Sequence, residues 1–325
     1  MDDLAPLLAA LPRTIREPIL HHGTAGLREV VLDLGRVPEL RYDRGAVLLP
    51  GAVTREDIQY VGGRLDRFRE DNRTGIERTL HRIACIRDRY GTIIGYTFRV
   101  GRPLIGAAGG LRDLLAGGKS ILLLGAPGTG KTTLMRDAAR ILADDLGRKV
   151  VIVDTSNEIG GDGQIPHPAI GRARRLQIPA GDGTRPMLEI QAAILLQALA
   201  NHTPEVIIVD ELGFEEDARM ARTIARRGVQ LLATAHGRRL SDILHNPDLA
   251  GLLGGVHVLP LGAEEARAGT SRFVRERIGP PVFEVVVEVI QPGLVAVHSQ
   301  VAESCDRILL GLPPHPELRD ISINR

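Results

Sequence analysis

Eight residues, Gly125-Ala126-Pro127-Gly128-Thr129-Gly130-Lys131-Thr132, constrain the fold of this chain more than any others. They follow the apolar run Ser120–Leu124 and open an amphipathic stretch, Lys131–Leu146, with Leu134, Ala138, Ile141 and Leu142 on one face. Glycines at a strand-to-helix bend admit backbone conformations that turn N–H groups inward, and the helix N-terminus adds partial positive charge at the same point. The spacing G-x-x-x-x-G-K-T between strand and helix is that of a phosphate loop. The expectation is that the loop amides cradle the phosphates of ATP and that Lys131 reaches the β- and γ-phosphates. The Thr132 hydroxyl ligates Mg²⁺ and Thr133 lies against the α-phosphate. Only three lysines occur (Lys119, Lys131 and Lys149) among 41 basic residues, so the ammonium at this one slot is selective. The planar fork of arginine does not fit such a nest.

Three more strand ends fit the same chemistry. Val206-Ile207-Ile208-Val209 leads into Asp210-Glu211. Asp210 is expected to hold Mg²⁺ through water, and Glu211 to orient or deprotonate the attacking water. Val151-Ile152-Val153 leads into Asp154-Thr155-Ser156-Asn157-Glu158, where Asp154 and Glu158 join the network around the metal ion. Ala233-Thr234-Ala235-His236 ends a fourth run, with Thr234 or His236 as a sensor of the γ-phosphate. In open parallel sheets the carboxyl ends of the strands face the ligand crevice, which is where all these residues fall.

Alternation of short apolar runs and helical stretches over 103–262 predicts a parallel sheet with helices on both faces, an α/β P-loop NTPase core of RecA/AAA+ type. Its expected strands are Ser120–Leu124, Lys149–Asp154, Glu205–Val209, Val229–Thr234 and, as the fifth, Val256–Leu261. Residues 1–102 read as a smaller α+β domain. It has a helix from Arg55 to about Arg69 and a hairpin of His81–Arg87 with Thr92–Arg99. Residues 263–325 read as an extension, a β-hairpin of Val282–Ile290 with Leu294–His298 followed by a short helix and a Pro-rich tail. A net charge of +1 announces no nucleic-acid or membrane field, so such contacts would rest on local patches. Two cysteines without ligand spacing, no basic-then-apolar leader and no long apolar run give the expectation of a cytoplasmic protein.

The order of these motifs resembles that of type II/IV secretion and pilus-retraction ATPases. It is more similar still to the stage III sporulation protein AA family and its cyanobacterial and plastid relatives. Asp71–Arg82, Val153–Ile159 and Ile165–Arg175 carry the likeness. The resemblance implies a homo-oligomer, a hexameric ring, with nucleotide at subunit or domain boundaries. It implies arginines supplied by the N-terminal domain, with Arg82, Arg87, Arg99 and Arg102 as candidates and Arg99 and Arg102 as the catalytic choices. Some of these relatives carry a further module that binds single-stranded nucleic acid; no counterpart of it is expected in these residues. The relatives with that module and the basic loop favour a motor acting on single-stranded DNA or RNA, and the secretion-ATPase order of motifs favours one that powers a membrane complex. A nucleotide-gated scaffold is the third reading. The basic loop around Arg172, Arg174 and Arg175, continuing through Gly181–Pro186, grips a polymer in a ring pore, contacts the neighbouring nucleotide, or forms an interface ion-pair cluster.

Overall fold

A computed structural model of the protein describes residues 4–179, 187–260 and 273–323, which form two compact units. One comprises Met1–Pro103 with Gly160–Pro168, the other Leu104–Ile159 with Ala169–Arg325.

The first unit opens with helices α1 (Leu4–Ala10) and α2 (Arg13–His22). There follow β1 (Leu27–Asp33), β2 (Glu39–Tyr42), β3 (Gly45–Leu48), α3 (Arg55–Gly62), β4 (Arg73–Gly75), β5 (Arg82–Arg87) and β6 (Ile93–Arg99). The strands make one antiparallel sheet in the order β3-β2-β1-β6-β5-β4. Leu7, Ile15 and Ile19 of the helices, with Leu11 between them, pack on Leu27, Val30, Leu32, Tyr96 and Phe98, all buried. Helix α3 starts as expected, with the Thr54 and Asp57 side chains each accepting the other's backbone N–H. It stops seven residues early at Gly62-Gly63, two poor helix formers, where a Cβ on Gly62 would stand 3.0 Å from the Tyr96 hydroxyl.

Gly160–Pro168 belongs to this first unit, although its neighbours on both sides belong to the second. Three glycines allow the close approach. A Cβ on Gly75 would stand 2.4 Å from the Asp162 Cβ, one on Gly161 2.3 Å from the Thr79 carbonyl oxygen, and one on Gly163 2.6 Å from the Glu77 Cα. The Arg69 guanidinium lies 2.9 Å from the nearly buried Asp162 carboxylate.

The second unit runs α4 (Arg112–Ala116), β7 (Ile121–Gly125), α5 (Lys131–Arg140), β8 (Val150–Asp154), β9 (Arg174–Gln177), α6 (Met187–Asn201) and β10 (Val206–Leu212). It continues with α7 (Glu215–Arg226), β11 (Gln230–Ala235), α8 (Leu240–His245), β12 (Val256–Pro260) and β13 (Phe273–Arg277). It ends with β14 (Val285–Gln291), β15 (Leu294–His298), α9 (Val301–Leu309) and β16 (Glu317–Asp320). Eight strands form one sheet in the order β16-β15-β14-β7-β11-β10-β8-β9. The six from β14 to β9 are parallel, and β15 and β16 add an antiparallel margin. Alternate residues of β7 face opposite cores. Leu122 and Leu124 join α6 and α7 side chains, whereas Ile121 and Leu123 join Met135, Ala139 and Leu142 from the stretch that opens with α5. Burial on both faces is why these strands are apolar throughout rather than alternating.

Two expectations change. The run Val256–Leu261 is not the fifth strand of the sheet: β12 pairs with β13 in a separate two-stranded sheet and is largely exposed. Leu261 lies outside the described residues. The place beside β7 belongs to β14, whose Val285, Val286, Val287 and Val289 are buried where β12 is not. The C-terminal hairpin is thus part of the main sheet, and the Pro-rich tail closes it with β16. The helix expected through Leu146 leaves α-geometry at Ile141–Asp145, which winds as a wider π-type turn. Among the described residues, no helix is long and apolar enough to cross a membrane.

Candidate nucleotide site

The bend between β7 and α5 is built by its glycines. Gly125, Gly128 and Gly130 have φ of 151°, 79° and 98°, a region that a side chain strongly disfavours. A Cβ on Gly125 would also fall 2.8 Å from the Val289 carbonyl oxygen of β14. Ala126, Pro127 and Gly128 form an outward crest, and the Thr129 hydroxyl closes the loop by donating to the Ala126 carbonyl at 2.8 Å. Lys131 begins α5 and its ammonium lies over the loop, donating to the carbonyls of Gly125 (2.7 Å) and Ala126 (3.2 Å). Burial pulls this ammonium below the usual lysine range, and Glu211 and Glu158 act in the opposite sense. Thr132 and Thr133, next in the helix, are half-buried.

Thr132 turns its hydroxyl to Glu158, donating to Oε2 at 3.2 Å. Glu158 reaches it because Asn157 takes a left-handed conformation (φ 54°) that asparagine tolerates. Asp154, fully buried, accepts the Ile159 N–H at 3.1 Å and so shapes this loop from within. Asp210 is buried at the end of β10, where one oxygen accepts from both the N–H and the hydroxyl of Ser156. Burial pushes its carboxyl up to about 7; Asp154 and Glu158 add to the rise and the Ser156 bonds oppose it. The cation nearest in role is Arg136, one helical turn beyond Thr132. It is 8% exposed and donates to the main-chain carbonyls of Ile159 (2.7 Å) and Glu158. Burial lowers its guanidinium to about 10, against the pull of Asp154, Glu158 and Asp210.

The donors available to a divalent cation are therefore all oxygens: the Thr132 hydroxyl and the Asp210 carboxylate, with Glu158 beside the first. This is the hard-ligand set that suits Mg²⁺. A carboxyl whose pKa is raised chiefly by burial, and further by Asp154 and Glu158, is one that a cation would ionise. Among the described residues, no three His, Cys, Asp or Glu side chains are arranged to hold a metal by themselves. Such a set suits an ion bound chiefly through phosphate and water.

Glu211 follows Asp210 but faces elsewhere. The pairing of β10 with β11 moves from Val209–Ala233 to Leu212–Ala235, so β10 carries one extra residue at this point. Such a bulge re-aims side chains. It leaves Asp210 inside and Glu211 partly exposed, with its carboxylate 3.0 Å from Nε2 of the exposed His236. The Thr234 hydroxyl is buried and donates to the Asp210 carbonyl, which makes it a brace of the strand end.

Arg99 and Arg102 lie in the first unit. Arg99 pairs with Glu29 at 3.2 Å and keeps a side chain two-thirds exposed. Arg102 donates to the carbonyls of Leu27 (2.7 Å) and Thr24 (2.9 Å). Arg82 lies 3.9 Å from Asp162, and Arg87 bonds to Asn72 and to the Gly91 carbonyl. Arg172 is tied to Asp144 and the Ala143 carbonyl, while Arg174 and Arg175 open the edge strand β9. The rest of that basic loop, Gly181–Pro186, lies outside the described residues. Two residues had no recognisable motif in the sequence. One is Arg136; the other is Gln191 of α6, a buried amide in a mostly apolar helix. No side-chain pattern signals either one, because both act on main-chain carbonyls.

A model of the family described as sporulation stage III, protein AA, matches residues 89–258. An uncharacterized protein ycf45 of Porphyra purpurea is 48% identical over 99% of this chain and 56% of its own length, so the chain spans about half of that relative. A protein of the same description from Cyanidium caldarium is 36% identical over 99% of this chain and 95% of that one. Among solved structures, the pilus retraction motor PilT with bound ADP has the same fold, with a TM-score of 0.52 at 19% identity over 83% of this chain and 84% of that one. The family match opens ahead of β6 and closes within β12, taking in the phosphate loop and the ends of β8, β10 and β11: the chain belongs to the stage III sporulation protein AA family.

Proposed function

We propose that this chain binds ATP with Mg²⁺ and hydrolyses it, working as a homo-oligomer that turns hydrolysis into movement. One observation carries the reading. Three left-handed glycines, one ammonium and one hydroxyl converge at a strand-to-helix bend, and the carboxylates of Glu158, Asp210 and Glu211 stand at the neighbouring strand ends. In this reading the loop amides and Lys131 bind the β- and γ-phosphates, and Thr132 and Asp210 hold Mg²⁺. The bound ion neutralises charge that builds on the phosphates. Glu211 takes a proton from the water that attacks the γ-phosphorus as the bond to the β-phosphate oxygen breaks and ADP leaves. His236, 3.0 Å from Glu211, orients that carboxylate and reports the γ-phosphate. Likeness of fold to a pilus retraction motor that binds ADP supports a motor, and a hexameric ring is the proposed assembly.

Of the two candidate arginine fingers, Arg99 suits the role better, because its side chain is exposed while Arg102 is held by two carbonyls. The proposed track is single-stranded nucleic acid; a membrane assembly and a nucleotide-gated scaffold are the competing readings. Glu211→Gln tests the chemistry: the variant should bind ATP normally and hydrolyse it about 10²–10⁴-fold more slowly. Equal turnover would shift the base to Glu158. Salt-dependent stimulation of the wild-type rate by single strands would support the nucleic-acid track, and no stimulation would remove it.

A further inference from the structure

Helix α6 carries a single amide into the polar side of the sheet. Gln191 is 5% exposed, and each of its side-chain atoms has a partner. Its Nε2 donates to the main-chain carbonyl of Glu211 at 2.8 Å and to Oδ1 of Asp217 at 3.0 Å. Its Oε1 accepts from the Thr155 hydroxyl at 3.0 Å. The orientation of the amide is fixed by the Glu211 carbonyl, which can only accept. Asp217, fully buried, uses its other oxygen to accept the N–H groups of Gly213 and Phe214, so it fixes the chain just after Glu211 and the start of α7. Thr155 adjoins Ser156, whose N–H and hydroxyl hold the Asp210 carboxylate.

One side chain thus joins three segments that a phosphate site must keep in register: the end of β8, the bulged end of β10 and the start of α7. At a bulge the ladder is interrupted, and Gln191 supplies a hydrogen bond at this interruption. The cost of orienting a general base falls on whatever holds its backbone, and misplacement by about 1 Å costs rate on the order of 10²-fold. We propose that Gln191 is a positioning residue for hydrolysis: it sets the main chain of Glu211 against the Thr155–Ser156–Asp210 side of the site. Its effect on rate is exerted through the Glu211 carboxylate. The inference rests on the ATPase reading above.

The test compares Gln191→Met, which keeps the volume and removes all three bonds, with Gln191→Glu, which keeps the shape and one acceptor but no amide donor. Each is made in the wild-type chain and in the Glu211→Gln background, with ATP affinity, kcat, KM and Tm measured together. The expected result is that kcat falls at least about tenfold in both variants while KM and ATP affinity change by less than about threefold. In the Glu211→Gln background the same substitutions should add almost nothing, because the group they position is gone. A folded variant with wild-type kcat overturns the inference. So does a loss that multiplies fully with that of Glu211→Gln, since a residue that merely supports the fold acts independently. If Gln191→Met does not fold, Gln191→Glu decides by the same criteria; if neither folds, the residue is structural and the inference falls. Wild-type turnover that Lys131→Ala abolishes and Gln191→Met leaves intact sinks this inference alone, whereas a wild-type chain that does not hydrolyse ATP sinks the ATPase reading with it.

Discussion

Asp210 shows how one side chain can hold the site and load it with cost. A carboxyl whose value in the fold is about 7, against an ordinary 3.8, binds a proton in the folded chain that the unfolded chain releases. Stability then declines as pH rises from the ordinary carboxyl range to about 7, and above that the full penalty stands, on the order of a few kcal/mol. Asp210→Asn should therefore raise the nucleotide-free Tm at about pH 8 and do much less at about pH 5, where the native carboxyl is already neutral. Thermal melts of both proteins across this range check the sign; equal shifts at the two pH values would contradict it. Mg²⁺ with nucleotide should narrow the gap in the wild type, because a cation offsets the same charge.

Residues of the phosphate loop were legible in the sequence for a local reason: eight consecutive positions specify their own backbone path, and Gly125, Gly128 and Gly130 occupy the left-handed conformations that only glycine takes readily. Arg136 and Gln191 were not legible. Their roles depend on main-chain carbonyls of Glu158, Ile159 and Glu211, which no side-chain pattern encodes.

At the scale of elements, α5 does more than present Lys131. Through Arg136 it also holds the loop after β8, and this cation faces Asp154, Glu158 and Asp210. Removing one partner from a buried charged cluster leaves the others uncompensated, at a cost of about 3–5 kcal/mol. Arg136→Met should lose stability of that order in urea denaturation and should weaken ATP binding; a loss below about 1 kcal/mol would show the guanidinium to be dispensable. The same scale explains the misassigned strand. Val256–Pro260 and Val285–Gln291 are both short β-formers, and periodicity does not rank them. Which one joins β7 is settled by side chains that meet across the sheet: β14 buries four valines, opposite Ile121, Leu122, Leu123 and Gly125, and β12 buries none of its residues. The early stop of α3 was readable from Gly62-Gly63, whereas the passage of Gly160–Pro168 into the first unit was not. That passage depends on contacts between residues far apart in sequence, such as Gly75 against Asp162, Gly161 against Thr79 and Gly163 against Glu77.

For the whole molecule, the proposed work is done by an assembly of copies. Mass measurement with a non-hydrolysable ATP analogue should yield a discrete ring-sized species, six chains in the proposed form, and a monomer under all conditions would contradict the assembly. The central claim is narrower and more exposed to test: the bend between β7 and α5 binds a triphosphate. Titration calorimetry of the purified chain with ATP and Mg²⁺ tests it most directly, run beside Lys131→Ala. The account predicts saturable binding at one site per chain in the wild type and its loss in the variant, with the fold intact; equal binding by both proteins, or none by the wild type, would contradict it.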